Sequence, residues 1–319
     1  MTEYAVEIDG LVKTFGDNRA VDGVTLRVPK GTIYGILGPN GAGKTTTINI
    51  LATLMKSDGG SAKVFGHDVL KEAHIVRKMI GVTGQYASVD ESLSATENLV
   101  IFGMLRGLKR KQAAERAAEL LEEFGLTEAA NRPLHKFSGG MRRRLDIAAG
   151  LIVIPDLMFL DEPTTGLDPR TRAQMWNTIR ALAAKGTTVM LTTQYLDEAD
   201  NLASRIAVID HGRVIAEGTP DELKSSVGSS TLVLDMGSSD QSAMAQEIIF
   251  DVLGVRSKIT DAGRIVTPIA KMDAVADLLI GFREAGLEVQ AISIQKPTLD
   301  EVFLTITGKT AEDEAGVEA

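Results

Sequence analysis

The sequence contains no cysteine, and this absence excludes disulfides, thiolate metal sites and thiol catalysis. It also has no long uninterrupted apolar run. The most apolar stretch, LDIAAGLIVIPDLMFL, is broken by Asp146, Pro155 and Asp156, whereas a membrane helix needs about 20 predominantly apolar residues. The N-terminal segment MTEYAVEIDG is acidic and strand-like, which argues against a signal peptide. We therefore expect a soluble globular chain that is not exported.

The chain has fewer basic than acidic residues: 34 Lys and Arg and 43 Asp and Glu give a formal net charge of -9. This balance provides no overall electrostatic footprint for nucleic acid, so no nucleic-acid partner is expected, although a local basic patch is compatible with it. The length of 319 residues and the 44% of hydrophobic residues suit one large domain and a smaller one, each with an ordinary core.

Short apolar runs alternate with helical patterns in most of the chain's first two thirds. TIYGIL, DLMFLD, TTVMLTT and RIAVID have the character of strands, and GKTTTINILATLM, TRAQMWNTIRALAAK and YLDEADNLAS that of helices. This alternation predicts an α/β fold with a mostly parallel sheet. Between about residues 86 and 156 the pattern is helical throughout, which predicts a helical insert.

A Gly/Ser-rich junction follows PDELKSSVGSS, and a second pattern begins after it. Its order of strand, helix, strand, strand, helix, strand predicts a small ferredoxin-like α+β domain, which a short helix in TLDEVFLTITG closes. The predicted division is a first domain over residues 1–226, with its helical subdomain at about 86–156, and a second domain over 231–308. The acidic residues 309–319 are predicted to be a disordered tail.

The segment GPNGAGKTT follows a predicted strand directly and opens a predicted helix, in the spacing of a P-loop. Its glycines allow several backbone N–H groups and a helix N-terminus to point at one polyphosphate. Lys44 adds a mobile positive charge, and the Thr45 hydroxyl can ligate magnesium. The segment predicts binding of ATP with Mg²⁺ by Gly38, Pro39, Asn40, Gly41, Ala42, Gly43, Lys44, Thr45 and Thr46.

A second half of the same site is predicted in LMFLDEP. The apolar strand delivers Asp161 at its end, where the carboxylate can hold magnesium through water, and Glu162 follows in a position to act on the attacking water. An acidic pair at the end of a strand is otherwise commonplace and is equally compatible with a solvated turn. The P-loop upstream favours the catalytic interpretation.

The segment KFSGGMRRRLDIA, between these two halves, resembles the signature sequence of ATP-binding-cassette (ABC) ATPases. With the P-loop, TGQ, LDEP, TTGLD and the strand ending at Gln194, six motifs of that family occur in the family's order. VTGQYASVDE, LTTQYLDEAD, RIAVIDHGRVIAEGT and LDEVFLTITG resemble more closely the daunorubicin/doxorubicin resistance ATP-binding subunits of bacterial exporters. The resemblance implies a P-loop ABC-type ATPase domain with a helical insert, followed by the small α+β domain.

The resemblance also implies roles for single residues. Phe15 would stack on the adenine, and Gln85 would contact the magnesium or its water and sense a membrane subunit. With Thr45 and Asp161, Gln85 completes the implied metal ligands. Ser138, Gly139 and Gly140 would contact the γ-phosphate bound by a second copy, and Asp168 would couple the two sites of a homodimer. A Ser-Gly-Gly at a helix start does present bare N–H donors to an anion.

Several of these positions have structural alternatives. Phe15 is also compatible with a core aromatic, and Ser138 with an N-cap of the following helix. Arg142, Arg143 and Arg144 are a charge run of the kind that usually forms a solvated helix face, although contacts to phosphate or to a partner subunit are the alternative.

Two residues depart from the family's usual pattern, which has Gln after the signature Gly-Gly and His at the end of the strand near residue 194. Met141 cannot replace the hydrogen bonds of a Gln. Gln194 can donate to a γ-phosphate and accept from water, but it does not titrate near neutral pH. We therefore expect Glu162 to be the general base or water-orienting carboxylate, and Gln194 to sense the γ-phosphate.

The resemblance implies a transport ATPase at the cytoplasmic face of the cell membrane, which powers export of a hydrophobic drug by a separate integral membrane permease. A lipid, glycolipid or natural-product exporter shares every motif, because the permease chooses the cargo. A soluble switch acting on ribosomes or DNA is a second alternative, which the acidic balance disfavours. A non-hydrolysing nucleotide scaffold is a third, which the intact Lys44, Asp161 and Glu162 disfavour.

Overall fold

The computed structural model describes residues 3–83, 89–228, 230–260, 263–269 and 273–308. Two compact units, Met1–Pro220 and Asp221–Ala319, make up the chain. Within the described ranges, no helix is both long enough and apolar enough to cross a lipid bilayer.

The first unit alternates strands and helices. Its strands are β1 (Tyr4–Phe15), β2 (Asn18–Pro29), β3 (Ile33–Leu37), β4 (Gly59–Val64), β5 (His67–Asp68), β6 (Ile80–Thr83), β7 (Leu157–Asp161), β8 (Thr188–Thr193), β9 (Arg205–Asp210) and β10 (Arg213–Gly218). Its helices are α1 (Lys44–Leu51), α2 (Ala73–Met79), α3 (Ala95–Leu105), α4 (Arg110–Glu123), α5 (Gly139–Gly150), α6 (Pro169–Ala184) and α7 (Leu196–Leu202). The chain passes into the second unit through α8 (Pro220–Val227).

The larger sheet has the order β10-β9-β3-β8-β7-β6 and is parallel except at its β10 edge. Strands β3, β7 and β8 are buried along their whole length, as expected for parallel strands covered on both faces. The register pairs Leu37 with Thr193 and Asp161 with Thr192. The carboxyl ends of β3, β8 and β7 therefore meet at one edge, and the predicted α/β architecture is confirmed.

A second sheet, of order β2-β1-β4-β5, is antiparallel. The sequence analysis did not predict it. In β2 the buried residues alternate with exposed ones, because one face of the strand packs on the core and the other meets solvent. The inward residues Val24, Leu26 and Val28 join a core that also contains Tyr34 of β3 and Ile48 of α1. Through this shared core the sheet packs against β3 and α1, the two elements that flank the loop between them.

The predicted helical insert is confirmed over the described residues 89–156, where α3, α4 and α5 follow one another without an intervening strand. Its predicted start near residue 86 lies outside the described residues. Helix α3 begins with a capping box, in which the Ser94 side chain accepts from the Glu97 N–H and the Glu97 carboxylate accepts from the Ser94 N–H. Helices α3, α4 and α5 share one apolar core, which includes Leu99, Leu120 and Leu145.

The second unit has the order of elements that the sequence predicts. After α8 come β11 (Ser230–Asp235), α9 (Ser239–Leu253), β12 (Lys258–Ile259), β13 (Ile265–Ile269), α10 (Asp273–Glu284), β14 (Ala291–Gln295) and α11 (Leu299–Thr307). The sheet is antiparallel with the order β12-β13-β11-β14, and the inner faces of its strands pack on α9 and α10 through residues such as Leu232 and Phe282. This is the predicted ferredoxin-like α+β arrangement.

Candidate nucleotide-binding and hydrolysis site

The loop between β3 and α1 requires glycine at two positions. Gly43, the residue before α1, has φ 101°, and a Cβ there would lie 2.2 Å from the carbonyl oxygen of Ala20. A Cβ on Gly38 would lie 2.1 Å from the carbonyl oxygen of Ile209. Any side chain at these positions would displace the backbone. The loop therefore keeps the tight course that directs its N–H groups and the start of α1 toward one point.

Lys44 lies within this loop, where its residue is only 5% exposed. The ammonium group donates to the carbonyl oxygens of Gly38 and Pro39 at 2.7 and 2.8 Å. These bonds compensate for the burial of the charge and keep the ammonium beside the loop's amides. A buried cation and a converging set of N–H donors form a site suited to polyphosphate.

A cavity of about 310 Å³ opens on this loop. Its lining brings together nine residues of the predicted site: Phe15, Asn40, Gly41, Ala42, Gly43, Lys44, Thr45, Thr46 and Glu162. Asn18 and Ala20 also line it, and the sequence analysis did not identify them. Phe15 ends β1 and is 47% exposed, with the Lys13 ammonium 5.5 Å from the centre of its ring. It is therefore available for stacking and is not a core aromatic.

A hydroxyl and a carboxylate meet beside the cavity. The Thr45 hydroxyl donates to Asp161 Oδ1 at 3.1 Å, and the Thr192 hydroxyl makes a short bond to the same oxygen. Asp161 is 4% exposed. Hydroxyl and carboxylate oxygens are the donors that Mg²⁺ prefers, and in phosphate sites the ion usually takes one or two carboxylates together with phosphate oxygens. Thr45 and Asp161 therefore fit a magnesium ion. Gln85, the third predicted ligand, lies outside the described residues.

Glu162 follows β7 in a conformation that is rare for a residue with a side chain, with φ at 48°. Its N–H donates both to the carbonyl oxygen and to the hydroxyl of Thr192, each at 3.1 Å. The carboxylate accepts from the Thr165 hydroxyl at 3.2 Å and faces the cavity. The backbone is thus held so that the carboxylate leaves the sheet toward the P-loop.

Arg143 holds the same turn from the other side. Its guanidinium donates to the carbonyl oxygens of Asp161, Glu162 and Pro163 at 2.5, 3.0 and 3.1 Å. The side chain is 12% exposed, and burial lowers the pKa of Arg143, although arginine stays protonated in proteins. The interpretation of all three arginines as a solvated face was therefore wrong for Arg143.

The other two arginines of this run have separate contacts. Arg142 donates to the Glu91 carboxylate at 2.7 Å, and Arg144 donates to the carbonyl oxygen of Phe124 at 2.8 Å. The local sequence contains no signal that distinguishes the three, since only the packing of α5 against β7 does so.

The signature residues begin α5. The Ser138 side chain accepts from the Met141 N–H at 3.3 Å and is the predicted N-cap, while a Cβ on Gly139 would meet nothing within 4 Å. Asp168 caps α6 by accepting from the N–H and hydroxyl of Thr171, and these bonds lower the pKa of Asp168. Ser138, Gly139, Gly140 and Asp168 are absent from the lining of the P-loop cavity. The predicted contact of these residues with a phosphate bound by a second copy stays a prediction.

Gln194 follows β8 directly and is exposed. Four residues later, Glu198 is fully buried and accepts from the Thr164 hydroxyl at 2.8 Å and from the Trp176 indole N–H at 3.2 Å. Burial raises the pKa of Glu198. The sequence analysis did not identify this buried carboxylate, which links α7 to α6 and to the segment after Glu162.

Comparisons with known proteins agree with this geometry. Residues 21–165 match a family model described as ABC transporter, and residues 218–307 match the C-terminal domain of DrrA1-3-like ATP-binding proteins. The daunorubicin/doxorubicin resistance ATP-binding protein DrrA of Streptomyces peucetius is 57% identical over 99% of this chain and 96% of its own length. The Nod factor export ATP-binding protein I of Paraburkholderia xenovorans (strain LB400) is 36% identical over 98% of this chain and 100% of its own length.

A solved structure of a dimeric ATP-binding cassette in a post-hydrolysis state, bound to ADP and Pi, shares 26% identity with this chain at a TM-score of 0.62. The match covers 67% of this chain and 98% of that one.

Proposed function

The chain belongs to the ABC transporter family, among the daunorubicin/doxorubicin resistance ATP-binding proteins, and we propose that its ATPase activity powers export of a hydrophobic drug by a separate membrane permease. The observation that carries the proposal is the junction of the P-loop cavity with Asp161 and Glu162, in a chain that is 57% identical to a drug-resistance relative over nearly its whole length. The proposed location is the cytoplasmic face of the cell membrane.

At the proposed site, the ring of Phe15 stacks on the adenine, and Lys44 and the amides at the start of α1 neutralise the phosphates. Thr45 and Asp161, with Gln85 as the third proposed ligand, would hold Mg²⁺, which when bound would stabilise the charge of the transferring phosphoryl group. Glu162 orients the attacking water and accepts its proton. Gln194 donates a hydrogen bond to the γ-phosphate but carries no proton in the reaction.

The proposed active assembly is a head-to-tail homodimer. Its support is the N-terminus of α5, where Ser138 is the N-cap and a Cβ on Gly139 would meet nothing within 4 Å, in a position that does not line the P-loop cavity of the described residues. Asp168 couples the two sites in this proposal. The dimeric cassette with ADP and Pi provides the precedent in a related fold.

The proposed domain division remains residues 1–226 for the ATP-binding domain, with its helical subdomain at about 86–156, and residues 231–308 for a C-terminal domain that stabilises the dimer or regulates assembly. The C-terminal family match over residues 218–307 supports a separate module in this region.

The cargo is tested by accumulation of a fluorescent anthracycline in cells that express this chain with its membrane subunit. The native chain should lower accumulation, and the Glu162→Gln variant should not, because hydrolysis powers the export. Drug export would be contradicted if cells with the native chain and cells with the variant accumulated the same amount of anthracycline while the native complex was assembled and hydrolysed ATP. That result would favour the second candidate cargo, a lipid or glycolipid.

A further inference from the structure

The carbonyl groups around Glu162 converge on one side chain of the signature helix. Asp161, Glu162 and Pro163 all direct their backbone oxygens at the guanidinium of Arg143, at distances of 2.5 to 3.1 Å. A guanidinium carries five N–H donors on separate nitrogens in a rigid plane, so it can hold several acceptors in fixed directions at the same time. The turn that carries the catalytic carboxylate is therefore built around an element distant in sequence.

This contact holds a conformation that the turn does not favour by itself. Glu162 has φ at 48°, a region that non-glycine residues enter only when the surroundings enforce it. Thr192 holds the N–H of Glu162 from the side of β8, and Arg143 holds its carbonyl oxygen from the side of α5. The direction in which the carboxylate leaves the backbone thus depends on both neighbours.

The charge of Arg143 is compensated where it lies. Asp146, one helical turn along α5, brings a carboxylate oxygen to 3.8 Å, and the carboxylates of Asp161, Glu198 and Glu162 also favour the charged guanidinium. Removal of one member of such a buried set of charges leaves the others without compensation, so the position of the guanidinium is tied to its surroundings. A neutral or shorter side chain would leave carbonyl oxygens of the turn without these bonds.

We propose that Arg143 is a positioning residue, which links the signature helix α5 to the Glu162 carboxylate of the same subunit. Five residues before Arg143, Ser138 caps the N-terminus of α5, the end proposed to receive the nucleotide of the second subunit. A displacement of α5 is passed through the guanidinium to the peptide groups on both sides of Glu162. Engagement of one subunit's signature by the partner's nucleotide therefore sets the carboxylate in that subunit's own site. This inference rests on the proposed role of Glu162.

The test compares Arg143→Lys and Arg143→Gln with the native full-length chain. Lysine keeps the charge, but its three donors leave a single nitrogen, whereas the native bonds leave Nε and Nη2 in one fixed plane, so lysine cannot reproduce their directions. We expect kcat for ATP hydrolysis to fall about 10- to 100-fold, the scale of a small misplacement of a reacting group. The affinity for ATP, measured with a fluorescent analogue, should stay within about twofold, because Arg143 does not line the cavity.

Arg180→Gln is the matched control, since Arg180 is an exposed arginine that also donates to a backbone carbonyl, that of Asn201 at 3.0 Å. Its kcat should equal the native value. An Arg143→Lys variant with native kcat would overturn the proposal. A joint loss of ATP affinity and turnover in that variant would also overturn it, because it would indicate a general packing role.

A double-mutant cycle separates this proposal from the function on which it rests. In a Glu162→Gln background, Arg143→Lys should change the residual rate by no more than about twofold, because the group it positions has been removed. A further drop as large as in the native background would show that Arg143 acts independently of Glu162. If Glu162→Gln alone left kcat unchanged, the proposed role of Glu162 would fail first.

Discussion

At the scale of single residues, the proposed site divides its work between a side chain that only positions and one that can take a proton. Gln194 lies exposed after β8, at the same sheet edge as the P-loop, and an amide can donate to a phosphate oxygen without exchanging a proton. The proposal leaves the acid-base work to Glu162, whose backbone is held by Thr192 and Arg143.

Substitution of Gln194 by alanine should therefore lower kcat by about tenfold while the affinity for ATP changes little, since a single neutral donor is lost. Steady-state hydrolysis by the purified chain measures this. Gln174→Ala, at an exposed position of α6 outside the cavity, is the control and should have the native kcat. A native kcat in Gln194→Ala would contradict the role of γ-phosphate sensor.

Glu198 predicts a pH dependence of stability. Burial raises the pKa of Glu198, so its carboxyl ionises at a lower pH in the unfolded chain than in the folded chain. Well below the ordinary glutamate pKa of about 4.3 the carboxyl is protonated in both states, and its titration does not change the free energy of unfolding. As the pH rises above that value, the unfolded state is favoured and the native stability falls.

The Glu198→Gln variant removes this titration and retains an oxygen for Thr164 and Trp176. Its Tm relative to the native chain should rise between pH 5 and pH 8, as thermal melts at both values would reveal. For the control Glu128→Gln, at an exposed position, the difference in Tm from the native chain should be the same at both pH values. A constant difference for Glu198→Gln would show that its carboxyl does not titrate differently in the two states.

At the scale of elements, what the sequence predicts depends on whether a local pattern determines the packing. Strands β3, β7 and β8 are short, mainly apolar runs that are buried throughout, and the P-loop has fixed spacing, so these were predictable. The antiparallel sheet of order β2-β1-β4-β5 was not, because the buried and exposed residues of β2 alternate and β1 pairs with β4, which lies far along the chain. The contacts of Arg143 were not predictable for a related reason. The three adjacent arginines have the same local sequence character, and only the carbonyl groups at the end of β7 and after it distinguish Arg143 from the other two.

The capping box of α3 is a local device whose removal should be measurable. Ser94→Ala removes the acceptor for the Glu97 N–H and should destabilise the first unit by about 1 kcal/mol in denaturant unfolding. Ser92→Ala is the control, since its hydroxyl bonds only the nearby Asp90 carboxylate at an exposed site. Equal stability of Ser94→Ala and the native chain would show that the cap does not limit the stability of the insert.

At the scale of the whole molecule, one unit carries the nucleotide chemistry and the other is a small α+β module of the kind that recurs in drug-resistance ATP-binding proteins. The first unit contains the P-loop, the proposed magnesium ligands and Glu162, and its signature residues do not line the P-loop cavity. In the proposed function, the chemistry depends on how two copies meet, and export depends on the permease that they drive.

The most direct test of the account is phosphate release from ATP by the purified full-length chain and its Glu162→Gln variant, at ATP concentrations matched to the measured Kd of each. The variant should bind ATP with native affinity, because Lys44 and the P-loop are untouched. Its rate of phosphate release should be at least about 100-fold lower than the native rate, because the carboxylate that activates water is gone. Phosphate release at the native rate would contradict the assignment of hydrolysis to Glu162 at this site.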